Sequence, residues 1–249
     1  MVFVVLVGKS IIELFLDMRI SFEEAVKSLQ FAPVVPFDPG TDKLLLLDFT
    51  EKNKDITEDI LKVITKFSAS INNLLANAGA RYGIGGYNEH RTVYSRSKVF
   101  DAPIPGEEPR RLHLGTDVWG KPYTAVMAPV DGIVHSYAFN NQFGDYGATI
   151  ILSHQENGYT FYTLYGHLSL NSLKNLHEGQ NIRKGQVFAE FGIPYENGHW
   201  PPHLHFQVIL DMKNLKGDYP GVCKYSEKAD WLKNSPDPDT LLQLNKYVS

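Results

Sequence analysis

Nine histidines are spread over 249 residues, and three short segments set some of them where a metal could be held. The first is His203-Leu204-His205. On a strand, residues i and i+2 face the same side, so both imidazoles would point one way with Leu204 opposite. Nine histidines in 249 residues would give about 0.3 such pairs by chance, so the pair alone decides nothing. The second is His113-Leu-Gly-Thr-Asp117. It offers an imidazole nitrogen and a carboxylate oxygen, both accepted by tetrahedral zinc. About half of one such pair is expected by chance. Gly115 within it argues for a sharp turn or strand entry rather than a helix. The third is Tyr165-Gly166-His167-Leu168-Ser169, where a histidine beside glycine at a strand end is, in isolation, a turn residue. Together they read differently. Three protein ligands leave zinc's fourth position open, which marks a catalytic rather than a structural site. His113, Asp117 and one of His203 and His205 supply those three. The other histidine of the pair and His167 are then free to carry protons, a role suited to a group that titrates near neutrality.

The elements that would position these residues have their own signals. Residues 148–154 and 159–167 are runs of apolar and β-branched residues flanking Gln155-Glu156-Asn157-Gly158, a hairpin signature. Residues 203–210 are a further strand, and the paired segments 178–182 and 184–188 read as two tight turns of a compact β-sandwich or barrel. Before about residue 85 the texture is helical. Ser21 with Glu24 forms a capping-box pattern opening a helix over 21–30. Lys43–Phe49 reads as a short strand. Apolar residues at Ile60, Val63, Ile64, Phe67, Ile71 and Leu74 predict one amphipathic helix over 56–78. Gly83-Ile84-Gly85-Gly86 reads as a linker. The expected organisation is a helical extension over 1–85, a mainly antiparallel β domain over 86–235 and a tail over 236–249, in all an α+β chain.

Composition bounds the function. At 43% hydrophobic and 21% charged the chain can bury a real core. A formal charge of -4 without a basic stripe argues against nucleic acid as a partner. The lone Cys223 permits no intramolecular disulfide and no cysteine-rich zinc site. No stretch reaches a membrane span of roughly 18 apolar residues. Val2–Val7 is apolar but followed at once by Gly8-Lys9-Ser10, so no export signal is read and the chain as it stands reads as cytoplasmic. Met18 is an alternative start. Gly8-Lys9-Ser10 is not a phosphate loop, because the required first glycine would fall on Phe3.

The ordered set H-x-x-x-D, YGHLS and H-L-H resembles the lysostaphin-type zinc metallopeptidases, also called LytM or β-lytic endopeptidases. Further matching pieces are "APVDGIV" (128–134), "IILSHQENGYTFYTLYGHLS" (150–169) and "EGQNIRKGQVFAEFG" (178–192). The resemblance spans about residues 111 to 209. It implies Zn2+ held by His113, Asp117 and His205, with His203 and His167 flanking the water to be activated. It also implies a β-rich fold of the duplicated-hybrid-motif kind, a narrow groove, and peptide cross-links of bacterial peptidoglycan as substrate, which would place the protein at the cell envelope.

Other readings have their own signatures. A non-catalytic relative acting as a binding module would lack ligands, and none is missing here. A biotinyl or lipoyl carrier would show a lysine at an exposed hairpin tip, where this chain has Glu156-Asn157-Gly158. A peptidase or amidase on a non-wall peptide is the reading an absent export signal favours. Among lesser residues, His154 reads as structural, His199 as a loop histidine, and His90, His135 and His177 as solvent or turn positions. Trp119, Trp200 and Tyr165 are candidates to line a groove, although core packing is the commoner use of an aromatic.

Overall fold

The computed structural model describes residues 20–248, so the readings made for Val2–Val7, Gly8-Lys9-Ser10 and Met18 lie outside the described residues. Helix α1 (Phe22–Val26) opens on the expected capping box: Ser21 Oγ accepts from Glu24 N and Glu24 Oε2 accepts from Ser21 N, each at 3.2 Å. Strand β1 (Leu44–Leu47) follows.

The expected single helix over 56–78 is two helices, α2 (Glu58–Lys62) and α3 (Ile64–Ala78), separated by Val63 in extended backbone at φ -118° and ψ 107°. The reason is geometric. At 100° per residue, Leu61 and Phe67 would point about 120° apart on one continuous helix. Breaking the helix at Val63 buries both, at the expense of leaving Val63 41% exposed. Helix α3 then packs Phe67, Ile71 and Leu75 in the same apolar cluster as Leu47, Phe49, Trp119 and Trp200.

Gly83–Gly85 is no linker. It lies in β2 (Tyr82–Gly85), which is buried throughout, pairs in parallel with β1 and antiparallel with β4 (Thr116–Trp119). The sheet therefore continues without interruption across residue 85. Strand β3 (Leu112–His113) precedes β4 and pairs with β12 (Val222–Cys223). β5 (Ala125–Met127) pairs with β10 (Val187–Glu190). The remaining strands are β6 (Gly132–Asn140), β7 (Gly147–Glu156), β8 (Tyr159–Leu168), β9 (Asn181–Ile182) and β11 (His203–Ile209). Two short C-terminal helices, α4 (Lys228–Asn234) and α5 (Asp239–Leu242), complete the described chain.

The main sheet has eight strands in the order β1-β2-β4-β11-β8-β7-β6-β9. All its pairs are antiparallel except β1–β2. The α+β reading, a mainly antiparallel sheet after a small helical region, thus holds. The hairpin joining β7 to β8 turns on Asn157 and Gly158 at φ 49° and 79°, the doubly left-handed pair that matches strand twist. Alternation divides the sheet's faces. Ile84, Val118, Leu204, Phe206 and Val208 enter the main core, while Asp117, His203 and His205 belong to the opposite face. No helix among the described residues is long and apolar enough to cross a membrane.

Candidate metal centre and cleft

Strand register brings the sequence-expected residues together. β11 lies between β4 and β8, with His205 opposite Asp117 on one side and Gly166 on the other, and His203 opposite Trp119. β3 ends at His113, and two residues separate it from the start of β4. His113, Asp117 and His205 are 0%, 2% and 3% exposed and form the one potential metal-holding group among the described residues.

Their facing atoms make a nearly equilateral triangle: His113 Nε2 to His205 Nδ1 is 3.0 Å, His113 Nε2 to Asp117 Oδ1 is 3.2 Å, and His205 Nδ1 to Asp117 Oδ1 is 3.1 Å. Ligands about 2.05 Å from a tetrahedral zinc stand about 3.3 Å apart, so the spacing fits such an ion. Protonation argues the same way. His113 Nδ1 donates to Gly86 O at 2.8 Å, which leaves Nε2 bare. His205 Nε2 donates to Gln207 Oε1 at 3.1 Å, which leaves Nδ1 bare. The Gln207 amide is itself oriented, since its Nε2 donates to Pro220 O and Ser235 Oγ. Three lone pairs therefore converge with no proton between them, an arrangement a cation relieves.

The electrostatics keep these groups in ligand form. Burial opposes ionisation of Asp117, but the ion pair with the Arg91 guanidinium holds its carboxyl well below the usual range. Burial, then the Arg91 charge, push His113 down to about 4.

Two further imidazoles face the same cleft. His203 Nδ1 donates to Pro201 O at 2.8 Å and His167 Nδ1 donates to Asn197 O at 2.8 Å. Both Nε2 atoms are thus left as acceptors. The rings are 4.1 Å apart. Burial lowers His203 to about 4, and burial with His203 and His205 nearby lowers His167 well below its ordinary value. His167 reaches this place by an unusual backbone. Alternation would send it into the core with Tyr165, but its φ of 62° near a break in β7–β8 register turns it to the cleft. A non-glycine residue there carries about 1 kcal/mol or more of strain, a feature that clusters at functional sites.

The cleft has a volume of about 320 Å³. Trp119 and Trp200 line it as expected. Tyr165 does not. It is fully buried in the main core against Phe188 and Phe206. His154 is structural, with Nδ1 on Asp131 O and Nε2 on Thr163 Oγ1. His199 sits in a loop with φ 66°, whereas His135 lies on β6 rather than in a turn. Two participants were not read from the sequence. Gln207 had a signal, since it follows His205 by two on one strand face. Arg91 had none.

Residues 111–216 match the model of Peptidase family M23, in agreement with the motif resemblance. A metalloprotease of Haemophilus influenzae, named as uncharacterized, is 34% identical over 102 residues, 41% of this chain and 19% of that one. An L-Ala–D-Glu endopeptidase of Bacillus subtilis is 33% identical over 127 residues, 49% of this chain and 36% of that one. The aligned stretches thus cover about a fifth and a third of these relatives. Among solved structures, the catalytic domain of the antimicrobial peptidase lysostaphin from Staphylococcus simulans is 23% identical over 66% of this chain and 96% of that chain, with a TM-score of 0.37. A zinc-containing peptidase from Vibrio cholerae is 26% identical over 44% of this chain and 30% of that one, with a TM-score of 0.32.

Proposed function

We propose, on the premise that residues 111–216 are an M23 peptidase segment, that this protein is a zinc-dependent metalloendopeptidase acting on peptide bonds of peptidoglycan cross-links. The observation that carries the reading is the convergence of three bare ligand atoms, His113 Nε2, Asp117 Oδ1 and His205 Nδ1, at a cleft lined by Asp117 and His205 together with His167 and His203.

Zinc held by these three would supply Lewis acidity to an amide carbonyl and to an attacking water. The rest is the work of the chain. His203 and His167 present Nε2 lone pairs because each Nδ1 proton is committed to a carbonyl. The imidazole that takes the water's proton then delivers it from Nε2 to the leaving amine. Protonated in the course of the reaction, either imidazole also offsets negative charge on the carbonyl oxygen. Trp119, Tyr146 and Trp200 along the wall exclude bulk water, which strengthens each of these interactions. Peptidoglycan as substrate draws its support from the motif resemblance and from the Bacillus subtilis relative's named specificity.

Digestion of purified peptidoglycan and of defined cross-link peptides by zinc-loaded protein tests this. New amine and carboxyl termini should appear with wild type and not with His205→Ala. Zinc-loaded wild type that leaves every such peptide intact would remove the substrate assignment.

A further inference from the structure

Two of the three ligands are held from outside the segment that matches the family. Gly86 O accepts from His113 Nδ1 at 2.8 Å and also from Arg91 Nη2 at 3.1 Å. Arg91 Nη1 donates to Asp117 Oδ2 at 2.5 Å, the oxygen turned away from the ligand triangle, and Arg91 Nε donates to Glu89 Oε2 at 2.6 Å. Glu89 Oε1 in turn accepts from Phe49 N at 3.3 Å. Arg91 is 2% exposed. Burial opposes its charge, yet the carboxylates of Asp117 and Glu89 against it keep it protonated.

A buried guanidinium between two carboxylates is poor evidence for stability, since apolar side chains of similar volume often serve as well or better. Its geometry here has a specific consequence instead. We propose that Arg91 is a positioning residue of the metal centre: it occupies Asp117 Oδ2, confines Asp117 to one-oxygen ligation through Oδ1, and shares with His113 the Gly86 carbonyl that sets that ring's orientation. This rests on the zinc reading above. A carboxylate free on both oxygens can chelate and rotate. One pinned by a bidentate-capable cation presents a single oxygen in a fixed direction, so less ordering is lost when the ion binds. The strand and turn over residues 82–91 are then part of the metal centre, although they precede residue 111.

The test uses the full chain with Arg91→Met, Arg91→Lys and wild type. Zinc affinity is measured by competition with a chromophoric chelator, and ligand geometry by visible absorption of the cobalt-substituted protein. Circular dichroism checks folding. Arg91→Met should lose zinc affinity by about 10- to 100-fold and shift the cobalt bands. Arg91→Lys, which keeps the charge but not the fork, should recover part of the affinity. A folded Arg91→Met with wild-type affinity and an unchanged cobalt spectrum overturns the proposal. If Arg91→Met does not fold, Arg91→Lys decides by the same two readings. Wild type that takes up no zinc would overturn the metal reading itself and this inference with it. Zinc-binding wild type beside indifferent Arg91 variants overturns this inference alone.

Discussion

The imidazole of His203 lies flat on the indole of Trp119, their centroids 3.8 Å apart and their planes 8° from parallel. The two residues are also partners in the β4–β11 register. With Nδ1 tied to Pro201 O, the stack fixes the remaining freedom of the ring. Trp119→Leu should therefore lower the rate of peptide hydrolysis by about 10- to 100-fold while zinc stoichiometry stays at the wild-type value. Trp119→Phe, which keeps a face to stack on, should lose much less. Full activity in Trp119→Leu would show that the stack does not orient His203.

His167 and His203 differ from the three proposed ligands in what their loss should do. Alanine at either position should cost about 10²- to 10⁴-fold in kcat and leave metal content intact. Alanine at His113, Asp117 or His205 should remove the metal together with activity. Paired rate and metal measurements on the five variants separate the two groups, and loss of zinc from His167→Ala would place that residue among the ligands.

Gly85 is required by close approach. A Cβ there would come within 2.8 Å of Arg91 Nη2, 3.1 Å of Trp119 Nε1 and 3.3 Å of Asp117 Cβ. Gly86, one residue on, would meet nothing nearer than 3.7 Å. Thermal unfolding should thus show Gly85→Ala destabilised by about 1–3 kcal/mol and Gly86→Ala nearly unchanged. Equal melting temperatures for both variants would mean that the crowding around Asp117 relaxes freely.

His154 gives the fold a pH dependence of known sign. Burial lowers it from 6.5 to about 4, so the unfolded chain binds its proton first as pH falls. Its contribution is complete above about pH 6.5 and is lost as pH drops toward 4, reaching about 3 kcal/mol. Urea unfolding at pH 7 and pH 4.5 should show wild type losing more stability than His154→Gln. Equal losses would contradict the assignment.

Much of this was legible in the sequence because local chemistry and tertiary structure agreed. Asn157-Gly158 between alternating runs gave the β7–β8 hairpin, Ser21 with Glu24 gave the start of α1, and period two put His203 and His205 on one face. The same period would have added Gln207. The missing parts depend on partners distant in sequence. Nothing local tells that Leu61 and Phe67 must share one layer, which is what breaks the helix at Val63. Glycine content suggested a linker at 83–86, whereas Gly83 and Gly85 are small because Leu47 and Arg91 need the space. Tyr165, a groove candidate on residue type alone, took the commoner aromatic role and packs in the core; the left-handed His167 that turns to the cleft instead had no local signal. Arg91 joins the centre only because the chain over 88–91 runs back along β3, with Asn88 N on His113 O, His113 N on Glu89 O and Arg91 N on Arg111 O.

The central claim is that His113, Asp117 and His205 hold one catalytic zinc. Protein stripped with chelator and reloaded, then analysed for metal by elemental analysis alongside His205→Ala, tests it most directly. The account predicts one zinc per wild-type chain, peptide hydrolysis that returns with it, and neither in His205→Ala. A His205→Ala protein that keeps both its zinc and its activity would contradict it.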